Sequence, residues 1–318
     1  MDSPSSPASA PAAAKSPRVA TVGIVGRTNA GKSTLLNLIV GEKVSIVSPV
    51  VQTTRNSIRA ILDERRGQLV FVDTPGLHKA ESKLGNLINK MARHAAANVD
   101  ILLVVFDASS PPRLEDDGWM RRILGADRDD RPVFFFLNKC DRDNCRADDF
   151  ERLWADIQRE TGATRRVRVF RGSAATGDGV EKLVSSLFDT APAGERLYPP
   201  DILSDYPRQL AISDIIREKA FLHLRDEVPH NVGVRIERFS GDGPKWRIDA
   251  TLLVSRPSQK PIVIGPGGKT VRQIRLEALQ DIQEQFGVKA ELDIWVKVDR
   301  DWTTNPIVLR QLGYLGEY

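Results

Sequence analysis

The residues best placed to do chemistry are Gly26-Arg27-Thr28-Asn29-Ala30-Gly31-Lys32-Ser33, followed by Thr34. They form G-x-x-x-x-G-K-S between an apolar run, Thr21 to Val25, and a stretch of helical spacing, Lys32 to Val40. Glycines there let backbone N–H groups wrap phosphates, and the start of a helix adds favourable partial charge. Lys32 would neutralise the outer phosphates, and the Ser33 hydroxyl would ligate Mg²⁺. Alone, the loop says only that a phosphate binds.

Three further groups refine the ligand. Asp73-Thr74-Pro75-Gly76 closes the apolar run Gln68 to Val72. Asp73 would hold Mg²⁺, and the Gly76 N–H would meet a γ-phosphate. Asn138-Lys139-Cys140-Asp141 ends the run Pro132 to Leu137. Asp141 can accept two hydrogen bonds from guanine N1–H and its 2-amino group. Adenine lacks the second donor, and a missed bond to a buried charge costs about 2–4 kcal/mol. Lys139 would lie along the base. Ser173-Ala174-Ala175 follows the run Val167 to Phe170 and can present an N–H to guanine O6. Singly, Asp141 reads as a turn residue and Ser173 as a helix cap. Four groups in this order, each after a strand, imply a site that binds and hydrolyses GTP.

The hydrolytic machinery is unusual. Leu77 follows Gly76, at the place where Ras-like proteins carry a water-orienting glutamine. An apolar side chain cannot orient water, so intrinsic hydrolysis is expected to be slow. Asn29 is a candidate substitute: its oxygen would hold a monovalent cation such as K⁺ beside the phosphates. The alternative for Asn29 is a loop residue bonded to its own backbone. Gln52-Thr53-Thr54-Arg55 supplies switch threonines. Thr54 would complete the Mg²⁺ shell when the γ-phosphate is present, so that the segment orders with the nucleotide.

A second candidate site lies far along the chain. Gly265-Pro266-Gly267-Gly268 is a G-x-x-G turn between helical segments, followed by Lys269, Arg272 and Arg275. Such a turn lets a nucleic-acid backbone approach while the helix start and the cations bind phosphate. The alternative is a helix-linking turn with solvated basic residues. Local charge matters more here than bulk charge. The net charge is +4, yet from Asp201 onwards 17 basic residues face 17 acidic ones. Between Ala250 and Leu276 there are five basic residues and no acidic one. A local patch attracts an anion.

The elements that must position these residues follow from the apolar pattern. Five continuous apolar runs (Thr21–Val25, Gln68–Val72, Ile101–Phe106, Pro132–Leu137, Val167–Phe170) interleave with helical stretches such as Lys32–Val40 and Lys83–Asn98. This predicts an α/β fold, a doubly wound, mostly parallel sheet of the P-loop NTPase kind. After a Pro- and Gly-containing linker the order changes: a helix (Gln209–Leu224), two strands (Val232–Phe239, Trp246–Val254), the glycine turn, a helix (Val271–Phe286) and a strand (Glu291–Val298). That is a separate small α+β domain. The division expected is a disordered Ala/Ser/Pro tail over 1–17, a nucleotide domain over 18–191, a linker over 192–206 and an RNA-binding domain with a C-terminal extension over 207–318.

Composition bounds the rest. Hydrophobic residues make up 41% and charged residues 28%, as in a globular protein. No apolar run approaches the ~20 residues needed to span a bilayer. The tail lacks the features of a signal or transit peptide. Cys140 and Cys145 make neither a disulfide framework nor a metal site, which favours a reducing compartment, the cytoplasm.

From Arg18 to Tyr318 the chain resembles the bacterial Era GTPase family. The resemblance is carried by Gly26–Ser33, Gln52–Arg55, Asp73-Thr74-Pro75-Gly76-Leu77-His78 and Asn138–Asp141. In the second domain it is carried by Ile215–Lys219, Ile236–Phe239, Val263-Ile264-Gly265 and Leu292–Val298. It implies a GTPase domain followed by a type II KH domain that binds small-subunit (16S) ribosomal RNA near its 3′ end. It further implies a role in rRNA processing and 30S subunit assembly, peripheral association with the inner membrane, and a monomer. The family's apolar replacement of the glutamine agrees with Leu77. Two departures stand out. Thr28 replaces the usual loop proline, and the KH turn lacks its usual internal lysine, which moves positive charge onto Lys269 and Arg272. A different reading makes the second domain a protein- or membrane-docking module. Steep salt dependence of binding would separate RNA from it.

Overall fold

In a computed structural model the described residues are 16–42, 44–45, 58–73, 86, 98–125, 130–241, 243 and 245–314. Thr54, Gly76, the Gln52–Arg55 and Thr74–His78 segments and most of the helix expected over Lys83–Asn98 lie outside them.

The first sheet has six strands: β1 (Arg18–Val25), β2 (Ile58–Glu64), β3 (Gly67–Asp73), β4 (Ile101–Asp107), β5 (Val133–Asn138) and β6 (Arg168–Arg171). Their order is β2-β3-β1-β4-β5-β6. All neighbours run parallel except β2, which pairs antiparallel with β3. β4 and β5 are buried at every position, which is why their sequences are unbroken apolar runs. Successive residues of β5 serve opposite faces. Phe134 and Phe136 pack with Leu35, Leu36 and Ile39 of α1 (Lys32–Val40) and Leu183 and Leu187 of a later helix, Val180–Thr190. Val133, Phe135 and Leu137 pack with α2 (Leu114–Leu124) and α3 (Ala147–Thr161), through Trp119, Met120, Phe150 and Trp154. The Val180–Thr190 helix is α4.

The second unit carries α5 (Arg208–His223), β7 (Val232–Ser240), β8 (Lys245–Val254), α6 (Gln259–Ile264), α7 (Lys269–Phe286), β9 (Lys289–Val298) and α8 (Pro306–Gln311). β7 and β8 are antiparallel, and β8 and β9 parallel. Ile212, Ile216, Val263, Ile274, Ala278 and Ile282 of the three main helices cover one sheet face. Leu253 on the other face packs with Trp302, Leu309, Leu312 and Tyr314.

Two features go beyond the sequence reading. β2 is an additional antiparallel strand. The 192–206 segment is bonded to the first sheet: Ile61 N–H donates to Leu203 O at 2.8 Å, and Arg59 pairs with Asp205 at 2.9 Å. No helix among the described residues is long and apolar enough to cross a membrane.

Candidate nucleotide and RNA sites

Parallel strands bring their C-terminal ends to one edge of a sheet, where open α/β folds bind ligands. β1 runs into Gly26, β3 ends on Asp73, β4 on Asp107 and β5 on Asn138. Asp107 and Asn138 are directly paired in the register. Four residues far apart in sequence are thereby neighbours.

The loop Gly26–Gly31 is shaped by its own backbone and by Asn138. Gly31 has φ 95°, and a Cβ there would sit 2.2 Å from Asn138 Nδ2. Only glycine meets both conditions. Asn138 Nδ2 donates to Ala30 O at 2.8 Å, while its Oδ1 accepts from the Ala174 N–H at 2.8 Å. Asn138 therefore ties the phosphate loop to Ser173-Ala174-Ala175. The Ala175 N–H donates to Ser173 Oγ at 3.1 Å.

Lys139 adds a second tie. It lies in the left-handed region, with φ 67°, and its Nζ donates to Asn29 O at 2.8 Å and to Asp107 Oδ2 at 2.7 Å. Asn29 is also left-handed, with φ 59°. Asp141 is exposed beside this edge.

Lys32 is buried, and its Nζ donates to Gly26 O at 3.3 Å and Arg27 O at 2.9 Å. Burial pushes its ammonium down to about 8, although Asp73 pulls the other way. Ser33 Oγ donates to Asp73 Oδ2 at 2.9 Å. Hard oxygen donors from a hydroxyl and a buried carboxylate suit Mg²⁺, so the two residues fit the ion that a nucleotide of this kind brings.

Arg27 behaves differently from its neighbours in the loop. Its side chain is buried, with Nη2 3.1 Å from Asp107 and Nε 3.4 Å from Asp116. Sequence reasoning missed both carboxylates. Asp107 carried a signal, since it too ends a strand at the ligand edge; Asp116, in the first turn of α2, carried none. Burial alone would raise the Asp107 carboxyl, but bonds from Lys139 and Ser109 hold it below the ordinary range. Desolvation raises that of Asp116 despite the Arg113 N–H and Arg27.

The second site is the turn between α6 and α7. Gly265 has φ 74°, and a Cβ on it would lie 2.1 Å from Thr270 Oγ1. At Gly267 and Gly268 a Cβ would meet nothing within 4 Å, so a ligand backbone can reach the turn closely. Pro266 is exposed, as are Lys269 and Arg272, one turn apart at the start of α7. Arg275 is half-buried, and its Nη1 donates to Leu292 O at 3.2 Å. Of the three predicted cations, Arg275 is the one bonded back to β9.

Comparison with known proteins finds a separate family match in each of the two units. Residues 21–139 match the family described as 50S ribosome-binding GTPase, and residues 227–303 match the KH domain family. GTPase Era of Lacticaseibacillus paracasei is 39% identical, covering 92% of this chain and 95% of its own. GTPase Era of Clostridium acetobutylicum is 38% identical over 92% and 96%. Among solved structures, an Aquifex aeolicus Era variant bound to GDP·AlF4⁻ superposes with a TM-score of 0.84. It is 32% identical and covers 93% of this chain and 99% of its own. Era in complex with MgGDPNP and nucleotides 1506–1542 of 16S ribosomal RNA gives the same TM-score and identity, over 94% and 99%. With a GTPase family match in the first unit, a KH match in the second and relatives of 38–39% identity over nearly the whole length, this chain belongs to the Era GTPase family and is a GTPase.

Proposed function

We propose that the protein is a GTP-driven switch that binds small-subunit (16S) ribosomal RNA near its 3′ end and assists rRNA processing and 30S subunit assembly. One observation supports the RNA half above others: the Gly265–Gly268 turn is open at two glycines and carries exposed Lys269 and Arg272. The related Era structure holds MgGDPNP and nucleotides 1506–1542 of 16S ribosomal RNA. Gly265, Pro266, Gly267, Gly268, Lys269 and Arg272 are assigned to the RNA backbone, with Arg275 supporting from the helix.

In the nucleotide site Gly26 to Thr34 hold the phosphates and Lys32 neutralises them. Ser33, Asp73 and Thr54 hold Mg²⁺, and Gly76 meets the γ-phosphate. Asn138 and Lys139 brace the guanine loop, Asp141 reads the base, and Ser173-Ala174-Ala175 closes over it. Asn29 is assigned to a K⁺ ion that substitutes for the missing glutamine. Equal GTP hydrolysis in K⁺ and Na⁺ buffers would remove Asn29 from that role. The protein is taken to act in the cytoplasm as a monomer, with peripheral contact to the inner membrane.

The test is a binding titration with the last ~40 nucleotides of 16S rRNA over a range of salt. Each phosphate contact contributes to a slope in log[salt]. Lys269→Glu/Arg272→Glu should abolish binding while leaving GTP hydrolysis intact. RNA binding that survives this double substitution would point to a different face of the domain.

A further inference from the structure

Behind the Ser33–Asp73 pair lies a set of hydrogen bonds that the reactions so far do not use. Ser45 is almost fully buried, 2% exposed, and its Oγ donates to Asp73 Oδ2 at 2.8 Å. Asp73 Oδ2 is the same atom that accepts from Ser33. Ser45 is itself held from α1. Asn37 Oδ1 accepts from the Val44 N–H at 3.0 Å and the Ser45 N–H at 2.9 Å, and Asn37 Nδ2 donates to Ser45 O at 2.8 Å. One amide side chain thus fixes the backbone of two consecutive residues by three bonds. Val44 meanwhile packs against the core beneath the first sheet.

We infer that Asn37 and Ser45 are positioning residues for the Mg²⁺ centre, aiming the Asp73 carboxylate through a clamp anchored on α1. The inference rests on the assignment of Asp73 to Mg²⁺. An acceptor oxygen bonded by two hydroxyls has its direction set, and outer partners of this kind typically change metal affinity 10–100-fold. The clamp faces the second unit. Val44 and Ser45 line a small cleft with Tyr206 and with Asp214 and Glu218 of α5.

The test uses the full-length protein and a fluorescent GDP, with release rates measured across a Mg²⁺ titration. Ser45→Ala should raise the Mg²⁺ concentration needed to slow release by about tenfold, and Ser45→Thr, which keeps the hydroxyl, should restore it. Asn37→Ala should give the same shift and should also remove hydrogen-exchange protection at the Val44 and Ser45 amides. Ser45→Cys, close in size with a weaker donor, gives an intermediate shift and serves if the alanine variant folds poorly. Asp73→Asn is the control. If it shifts the Mg²⁺ dependence and Ser45→Ala does not, the clamp is overturned and the metal assignment stands. If Asp73→Asn leaves the dependence unchanged, the metal assignment falls, and the clamp with it.

Discussion

At the scale of the residue, Lys32 shows how burial would prepare a group for the phosphates assigned to it. Its ammonium is enclosed by carbonyls and pushed down to about 8, from 10.5 in an open chain. The sign follows from proton counting. Between pH 8 and 10.5 the unfolded chain holds more protons than the folded one, so the fold gains stability as pH rises through that window. Below pH 8 the buried charge costs on the order of 3 kcal/mol. Nucleotide phosphates supply the negative charge that offsets this cost, so they favour the protonated form. On the assignment of Lys32 to the phosphates, GDP binding above pH 8 is expected to take up a proton. Its affinity should fall by up to tenfold per pH unit there, while Lys32→Met should bind weakly and show no such slope. Fluorescent GDP titrations between pH 7 and 9 measure both, and a flat wild-type profile would contradict the reading. Residue types and spacing made the place of Lys32, at the start of α1 after the glycine loop, legible in the sequence. The direction taken by Arg27 was not, because its partners Asp107 and Asp116 stand more than 75 residues away and only the sheet brings them near.

At the scale of the element, α5 is the instructive case. Its helical character was readable between Gln209 and Leu224, and the structure gives Arg208–His223. Its surroundings were not readable. Ile212, Ile216 and Ala220 face the core as expected, yet Asp214, Arg217, Glu218 and Lys219 are buried too. The charges are tolerated because they are paired. Arg217 meets Asp214 at 2.7 Å and donates to Tyr314 Oη at 3.0 Å; Tyr206 Oη donates to Asp214 at 2.8 Å; Lys219 meets Asp281 at 2.6 Å. Asp214 and Arg217 stand three residues apart on α5 itself, but Tyr206, Asp281 and Tyr314 come from before the helix, from α7 and from beyond α8, and no local pattern announces those. A buried pair broken on one side leaves an uncompensated charge, which costs about 3–5 kcal/mol. Arg217→Ala should lower unfolding stability by that amount in urea titrations, whereas Arg217→Met/Asp214→Leu, which removes both charges, should cost much less. Equal losses in the two variants would mean that packing, and not charge, dominates here. β2 escaped the sequence reading for a related reason. Its Ile-Arg-Ala-Ile-Leu-Asp-Glu run keeps neither the unbroken apolar character of its parallel neighbours nor a strict alternation.

At the scale of the molecule, the 192–206 segment matters because it is not simply a tether. Its Pro and Gly content predicts a linker, but a linker's freedom depends on what its backbone bonds to. Gln68, fully buried in β3, accepts the N–H groups of Leu197 and Tyr198 on Oε1, both at 2.9 Å. Its Nε2 donates to Tyr198 O at 2.9 Å and to Asp63 Oδ1 at 3.1 Å. Further on, Ser204 bridges to Ala60, and Arg59 pairs with Asp205. The segment straps the outer edge of β2, which also shields an otherwise open strand edge. β3 ends on Asp73, so the strand that carries the carboxylate assigned to Mg²⁺ also carries the residue that grips the strap. On the proposed function, a shift of β3 or β2 with nucleotide would be transmitted to the start of α5 rather than lost in slack chain. It would couple GTP to RNA with the usual size of about 1–3 kcal/mol, or roughly 5–150-fold in affinity. RNA should bind at least about fivefold more tightly with a non-hydrolysable GTP analogue than with GDP. Gln68→Ala leaves two N–H groups of the strap without their acceptor, so in that variant the ratio should fall towards one while GTP hydrolysis persists. Paired titrations of the 16S rRNA fragment, with the two nucleotides and the two proteins, decide the matter. A ratio preserved in Gln68→Ala would move the coupling from the strap to the cleft that Val44 and Ser45 line together with α5.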